Sequence, residues 1–474
     1  MRKILSFAML LSVVLIAGCR KNLSDLNEDP KHPSSVPSAP LFTNASANLS
    51  DLMASTNVNF NSFRLYVQYW TETTYTDEAN YDINSRSVPD RWWATLYRDV
   101  IEDLTRASSI APTETLLSEA EIKNRIAVDD ILIAYSYYTL ITTFGDVPYT
   151  QALQVDSILQ PKYDDAASIF DAIATKLDNA LSNLDVSATS YGSADIILDG
   201  DTQKWITFGN CLKMRMGMLI ADVDASKASS MILAAAPNVI TSNDDNLEIH
   251  YVSSPPNTNP VWEDLIQSQR HDFVAASTII DTMKKFSDPR LPFYFKPFNG
   301  EFIGQPYATG GGSFSDPSSI VSSPTNPHVY FSYADMEFLK AEAVERGIAV
   351  GGTAEEHYDN GVTASITEWG GTEAQAADYL AQSIVAYATA PGDWKEKIGL
   401  QAWLAYYNRG YDAWTEWRRL DYPNLEPGPE ALTAIPVRYT YPVLEQNLNI
   451  QNYNDASNAI GGDDVTTKLW FDKF

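Results

Sequence analysis

The segment Ser118–Tyr149, S-E-A-E-I-K-N-R-I-A-V-D-D-I-L-I-A-Y-S-Y-Y-T-L-I-T-T-F-G-D-V-P-Y, decides the architecture. Ser118 followed three residues later by Glu121 is a capping box, in which the hydroxyl accepts from one backbone N–H and the carboxylate reaches back to another. Behind it Ile122, Ile126, Leu132 and Tyr135 keep helical spacing as far as Phe144, and Gly145 supplies the stop. The same grammar recurs on both sides. Pro89 or Asp90 opens a helix with Trp92, Leu96, Val100, Ile101 and Leu104 on one stripe. After Tyr163, a third stripe runs through Ile169, Phe170, Ile173, Leu177, Leu181 and Leu184. Asp201 caps a fourth helix whose inner face carries Trp205, Phe208, Leu212 and Leu219.

None of these helices buries its apolar stripe alone, so they must pack pairwise. A second helical block starts at Tyr333 with Met336, Leu339, Lys340 and Ala343, and stops at Gly347. It resumes at a Thr353–Glu356 capping box, continues through Tyr379 to Ala390, and runs again from Trp394 to Leu420. Between the blocks, residues 237–330 hold 11 of the 25 prolines together with Gly310, Gly311 and Gly312, which excludes regular helix over most of that length. A short strand is expected at Leu247–Val252, where apolar residues alternate. The predicted fold is mainly α, a tetratricopeptide-like helix-pair stack without a clean repeat, with a long irregular loop-rich insertion and few short strands. Helical blocks of about 41–236 and 331–474 flank the loop-rich section of about 237–330, and long loops inside a compact protein usually carry function.

The chain begins with Arg2 and Lys3, then a 14-residue apolar run from Ile4 to Ala17 broken only by Ser6 and Ser12. That is short of the roughly 18 residues a bilayer span needs. Leu15, Ile16, Ala17, Gly18 and Cys19 read as a lipobox: residues 1–18 form a signal peptide cut before Cys19, whose thiol carries acyl chains of the palmitate type. Several acyl chains on one cysteine suffice to hold a protein on a membrane. Residues 19–40, with Pro30, Pro33, Pro37 and Pro40, read as an extended tether. The rival reading of the N-terminus is an uncleaved anchor or a buried helix.

The net charge of −28 over 474 residues repels nucleic acid and anionic headgroups. After Cys19 only Cys211 remains, so an exported fold must do without an intramolecular disulfide. Cys211, between Phe208 and Leu212, reads as a small core residue.

No catalytic constellation emerges. His32, His250, His271, His328 and His357 are scattered without zinc-site spacing, and no metal or cofactor is expected. The Gly310–Ser313 run before Phe314 lacks the strand and helix of a nucleophile elbow. Asp199, Gly200 and Asp201 sketch the start of a calcium loop, but Asn210 stands where a closing Glu is needed, so a turn and helix cap is the better account. The 61 acidic residues leave a glycosidase-type carboxylate pair open.

Aromatics are the richer signal. Trp205, Phe208, Trp403, Tyr407, Trp414 and Trp417 recur at helical spacing and read as core. Trp70, Tyr75 and Tyr81 lie in or beside the aperiodic polar segment Thr71–Ser87, while Trp262, Tyr294, Tyr307 and Phe314 lie in or near the Pro/Gly-rich section. These seven are the ligand-binding candidates, because flat sugar C–H faces stack on exposed rings while neighbouring polar side chains bond the hydroxyls.

Four segments and the C-terminal end carry a resemblance: Asp130–Leu153 with its Phe144–Tyr149 run; Gly200, Asp201, Lys204 and Trp205 leading to Asn210 and Leu212–Arg215; Asp288–Pro292; Tyr333–Ala343; and finally Arg438, Tyr439, Pro442, Glu445, Asn447, Lys468, Leu469 and Trp470. On these the chain resembles the SusD/RagB family of nutrient-binding outer-membrane lipoproteins of Bacteroidetes, over effectively the whole mature chain. The resemblance implies a lipid-anchored outer-membrane protein facing the cell surface. It would capture an oligosaccharide or oligopeptide without catalysis and deliver it to a TonB-dependent, SusC-like transporter. The Asp288–Arg290 segment and the aromatic C-terminal helices depart from the starch-binding prototype and leave the ligand open. Arg20–Leu23 ahead of Asp25, Glu28 and Asp29 departs from the acidic start common in surface-exposed members. Two rivals remain, a surface glycoside hydrolase and a helical scaffold that binds only proteins.

Overall fold

The computed structural model describes residues 36–474; the signal segment, Cys19 and most of the tether lie outside the described residues. The first helix, Ser38–Ala54, begins just inside the stretch read as tether. The helix anticipated around Pro89 is a composite of Val88–Ala94, a π-type turn at Thr95–Ile101, and Glu102–Ile110. Glu119–Phe144 starts at the expected capping box, with Ser118 Oγ accepting from the Glu121 N–H (3.2 Å) and Glu121 Oε2 from the Ser118 N–H (2.8 Å). Asp165 caps Ala166–Asn183, and Asp201 caps Thr202–Leu219 as a turn-and-cap residue should.

Consecutive helices pack as pairs: Glu119–Phe144 with Ala166–Asn183, Thr202–Leu219 with Ala225–Ala235, Tyr333–Glu345 with Ala354–Glu368, and Trp394–Ala405 with Gly410–Leu420. No helix among the described residues is long and apolar enough to cross a membrane. Cys211 is buried in the core, and desolvation pushes its thiol up to about 12, so it is inert packing.

Two small antiparallel sheets order the loop-rich middle, one joining it to the first block and one pairing its two ends. Trp70–Glu72 pairs with Phe273–Ala275, and Leu247–Ile249 with His328–Phe331. The second of these contains the anticipated strand, shortened because the Val252 N–H turns to the Asn257 carbonyl inside its own loop.

Two long helices anticipated in the second block are broken. The helix expected to reach Ala390 ends at Glu368 and restarts as Glu373–Leu380, because Gly370 takes φ +99. The Trp394–Leu420 helix divides at residues 406–409, where Asn408 adopts φ +69. Gly410 then sits against the Arg64 backbone, and a Cβ there would lie 2.5 Å from the Arg64 nitrogen. That close approach needs glycine and leaves no room for a straight helix.

Where the blocks meet, charges are buried. Asp335, the N3 residue of the Tyr333–Glu345 capping box, accepts from the Ser332 N–H (3.0 Å) and hydroxyl (2.8 Å). It also pairs with both Nη atoms of Arg409 and lies 3.4 Å from Arg215 Nη2, while Arg215 Nη1 donates to Asp412 (2.8 Å). Burial alone would raise the Asp335 pKa, but Arg409 and Arg215 overcome it and hold the carboxyl below its ordinary range. Removing one partner of such a pair strands buried charge. Asp335→Ala is expected to cost about 3–5 kcal/mol, read as a lowered urea midpoint.

Candidate functional site: a polar pocket with an aromatic backing

Four of the seven aromatic candidates are core residues, which corrects the sequence reading. Trp70 is buried and donates through Nε1 to the Tyr407 hydroxyl (3.0 Å). Tyr294 is buried, stacked on Tyr407 at 4.1 Å, with its hydroxyl on the Leu404 carbonyl (2.9 Å). Tyr81 packs between Tyr66 and Tyr307, and Tyr307 donates to the Leu65 carbonyl (2.8 Å). The physical reason is shared: a Pro/Gly-rich segment cannot build a core of its own, so its rings fill the seam between helical blocks. As they stand, these four rings offer no face to a sugar.

The other three reach solvent. Tyr75 is 65% exposed on a loop at φ +60, and that loop lies against the glycine run through Gly311 N–H to the Thr73 carbonyl (2.7 Å). Phe314 is half-buried, its ring covering Gly312. Trp262 is half-buried at the end of a short turn capped by Asn259.

The main cavity, ≈ 440 Å³, opens elsewhere, and the two broken helices supply much of its wall. Thr367, Glu368 and Trp369 come from the end of the Ala354–Glu368 helix, and Tyr407, Asn408 and Arg409 from the break before Gly410. The Leu247–Ile249 and His328–Phe331 strands add Glu248 and His328, and turns bring Asn243, Asn246, Asn259 and Asn326. Arg64 closes the inner wall, held by Ser55 O, Ala54 O (2.7 Å) and Asn408 Oδ1 (3.0 Å) with its guanidinium over the Trp70 ring. Behind the cavity Trp369 meets Tyr294 edge-on at 4.7 Å, Tyr294 stacks on Tyr407, and Tyr407 bonds Trp70. Trp70 and Tyr294 therefore position the pocket's aromatics.

Signals for the missed residues were present. Asn408-Arg409-Gly410 is a turn signature, and Trp369 stands directly before Gly370-Gly371. Both were masked by apolar spacing that continues across the breaks.

Burial shifts two of the pocket's titratable groups towards their neutral forms, in opposite directions, while Arg64 and Arg409 keep their charge. Desolvation drives Glu368 up to about 8; Arg409 opposes this, and Asp335 and Glu248 add to it. Desolvation, with Arg409, Arg64 and Arg215 nearby, drives His328 down to about 3. At neutral pH the pocket thus presents a carboxylic acid and a neutral imidazole as hydrogen-bonding groups, beside half-exposed Trp369. Such a surface suits a polyhydroxylated ligand with flat apolar faces. The pH signs follow by linkage. Glu368, raised from 4.5, subtracts stability as pH climbs from there towards about 8, and His328, lowered from 6.5, subtracts it as pH falls towards about 3. Thermal midpoints measured from pH 3 to 9 should show Glu368→Gln flattening the alkaline fall and His328→Gln the acid one.

The model of the SusD-like family described as "Starch-binding associating with outer membrane" matches residues 30–442. No curated protein sequence matches the chain. Among solved structures, a chitin-binding protein is 26% identical with TM-score 0.79, covering 92% of this chain and 100% of that one. A SusD-like protein of Bacteroidetes AC2a is 20% identical with TM-score 0.80 (93% and 100% covered), and a chitin-binding SusD homologue from Flavobacterium johnsoniae is 22% identical with TM-score 0.76 (92% and 98%). A family match over most of the length, on paired helices with two small sheets, carries the assignment: the chain belongs to the SusD-like family, described as starch-binding and associating with the outer membrane.

Proposed function

We propose that this protein is a lipid-anchored, surface-facing nutrient receptor of the outer membrane that binds an oligosaccharide in the Trp369–Arg409 pocket and delivers it unaltered to a TonB-dependent transporter. The observation that carries the reading is the pocket itself, a cavity with a half-exposed tryptophan at its wall, five asparagines around it, and a carboxylic acid and an imidazole held neutral. Support for a glycan over a peptide comes from the family description and from the 26% identical relative, which is described as chitin-binding. Tyr75, Trp262 and Phe314, the candidates that reach solvent, serve in this reading as outlying contacts for a longer chain. The lipid anchor rests on the Leu15–Cys19 lipobox.

Delivery requires a surface for the transporter. The 153–161 loop and the C-terminal helices Val443–Leu448 and Ile450–Ala459 are joined by Gln160 Nε2 to the Leu448 carbonyl (2.8 Å) and Asn449 Nδ2 to the Pro161 carbonyl (2.8 Å). Together they expose Val155, Leu159, Leu444, Leu448 and Ile450, with Leu159 86% and Leu448 67% accessible. Apolar side chains gathered in this way suit a protein contact.

Calorimetry of the acyl-free protein against starch- and chitin-type oligosaccharides tests the binding. Trp369→Ala should weaken the best ligand about tenfold or more, roughly 1.4 kcal/mol. An unchanged affinity would move the site elsewhere. Incubation with labelled oligosaccharide should yield no new reducing ends, whereas a glycoside hydrolase would produce them. Leu159→Glu combined with Leu448→Glu should leave ligand affinity unchanged while reducing co-purification of an outer-membrane barrel.

A further inference from the structure

Resting on the pocket as the ligand site, one feature specifies what the ligand carries. Arg64 is buried at the inner wall, yet no carboxylate among the described residues lies within ion-pair distance of it. Its acceptors are two backbone carbonyls and one amide oxygen, which use three of the five guanidinium N–H bonds. The other two arginines near the cavity differ. Arg409 is bidentate on Asp335, and Arg215 bonds Asp412 and Asp335, so their charges are already answered. His328, buried on the adjoining strand and lining the same cavity, has an Nε2 without a hydrogen-bond partner among the described residues.

We propose that the inner end of the pocket, formed by Arg64, His328 and Glu368, receives the carboxylate of a uronic-acid unit, so that the preferred ligand is an acidic saccharide. A buried guanidinium whose hydrogen-bond acceptors are all neutral oxygens, with the Asp264 carboxylate acting on it only from beyond ion-pair distance, has its charge incompletely compensated, and a ligand carboxylate would complete it with charge-assisted hydrogen bonds. The imidazole N–H adds a second donor. Glu368 adds a third while it keeps its proton, which burial favours up to about pH 8 against the pull of Arg409 and with the support of Asp335 and Glu248. Glu248 stands at the strand edge, 3.7 Å from His250, and is itself held above the ordinary carboxylate range by burial. A neutral sugar would use the Trp369 face and the asparagines but would leave Arg64 unanswered. The Trp369 face favours a sugar ring over a peptide terminus.

The test is calorimetry of the full folded protein with sodium glucuronate- and galacturonate-containing oligosaccharides, their neutral counterparts of equal length, and a tetrapeptide with free or amidated C-terminus. At pH 6 a uronate ligand should bind at least tenfold more tightly than its neutral counterpart. Above pH 8 that advantage should shrink in the native protein as Glu368 ionises, and persist in Glu368→Gln, which cannot ionise. Equal affinity for neutral and uronate sugars, with binding still lost in Trp369→Ala, would overturn the carboxylate assignment and leave the saccharide site standing. Binding of the free-carboxylate peptide in place of the uronates would also overturn it. Failure of every saccharide would remove both the assignment and the pocket reading beneath it.

Discussion

Asp335 is the interaction on which the rest of the structure leans. One carboxylate simultaneously completes the cap of the Tyr333–Glu345 helix, clamps the guanidinium of Arg409 at the turn between two aromatic helices, and faces Arg215 from the first helical block. Arg215 also lies 4.2 Å from the ring of Phe331, on the strand that carries His328 into the pocket. Charges taken out of water are costly unless every one is answered. Here the two guanidiniums and the carboxylates of Asp335 and Asp412 answer one another, which ties both helical blocks and one small sheet to a common geometry.

Around that charged centre the aromatic residues form a continuous seam. Phe63, Trp92, Tyr411, Trp414 and Tyr439 meet at centroid distances of about 5 to 6 Å, and Trp70, Tyr294, Tyr407 and Trp369 extend the contact to the cavity wall. Such offset and edge-on contacts hold rings in fixed orientation. The loop-rich middle is therefore ordered by inserting its rings between helices, and this is why prolines and glycines are tolerated there. It also explains why Tyr294 and Tyr307, two of its four promising aromatics, are buried as packing.

Chemically the pocket sets two neutral groups, Glu368 and His328, beside two guanidiniums that keep their charge, Arg64 and Arg409. Burial, reinforced by Arg409, Arg64 and Arg215, keeps His328 unprotonated, while burial keeps Glu368 protonated against the attraction of Arg409. Such a lining suits a polar ligand bound by directional hydrogen bonds, and a ring stack stands behind it. Both features fit a receptor that captures and releases.

Local chemistry written into the chain was enough to determine the paired-helix architecture. Ser118–Glu121, Thr353–Glu356, Asp201 and Gly145 start or stop helices through hydrogen bonds spanning only a few residues, and apolar spacing reports one buried face per helix. Cys211 in the core and the four resembling segments were legible for the same reason. The breaks at Trp369–Gly371 and Tyr406–Arg409 were not, because apolar spacing continues through them and the backbone of Arg64, more than 340 residues earlier, forces the second. Tertiary structure alone decided which rings are wall and which are filler, since Tyr75 and Tyr81 share a local context, yet only Tyr81 is covered, by Tyr66 and by Tyr307 from more than 220 residues away. Exposure is a property of the packed whole, and no window of sequence contains it.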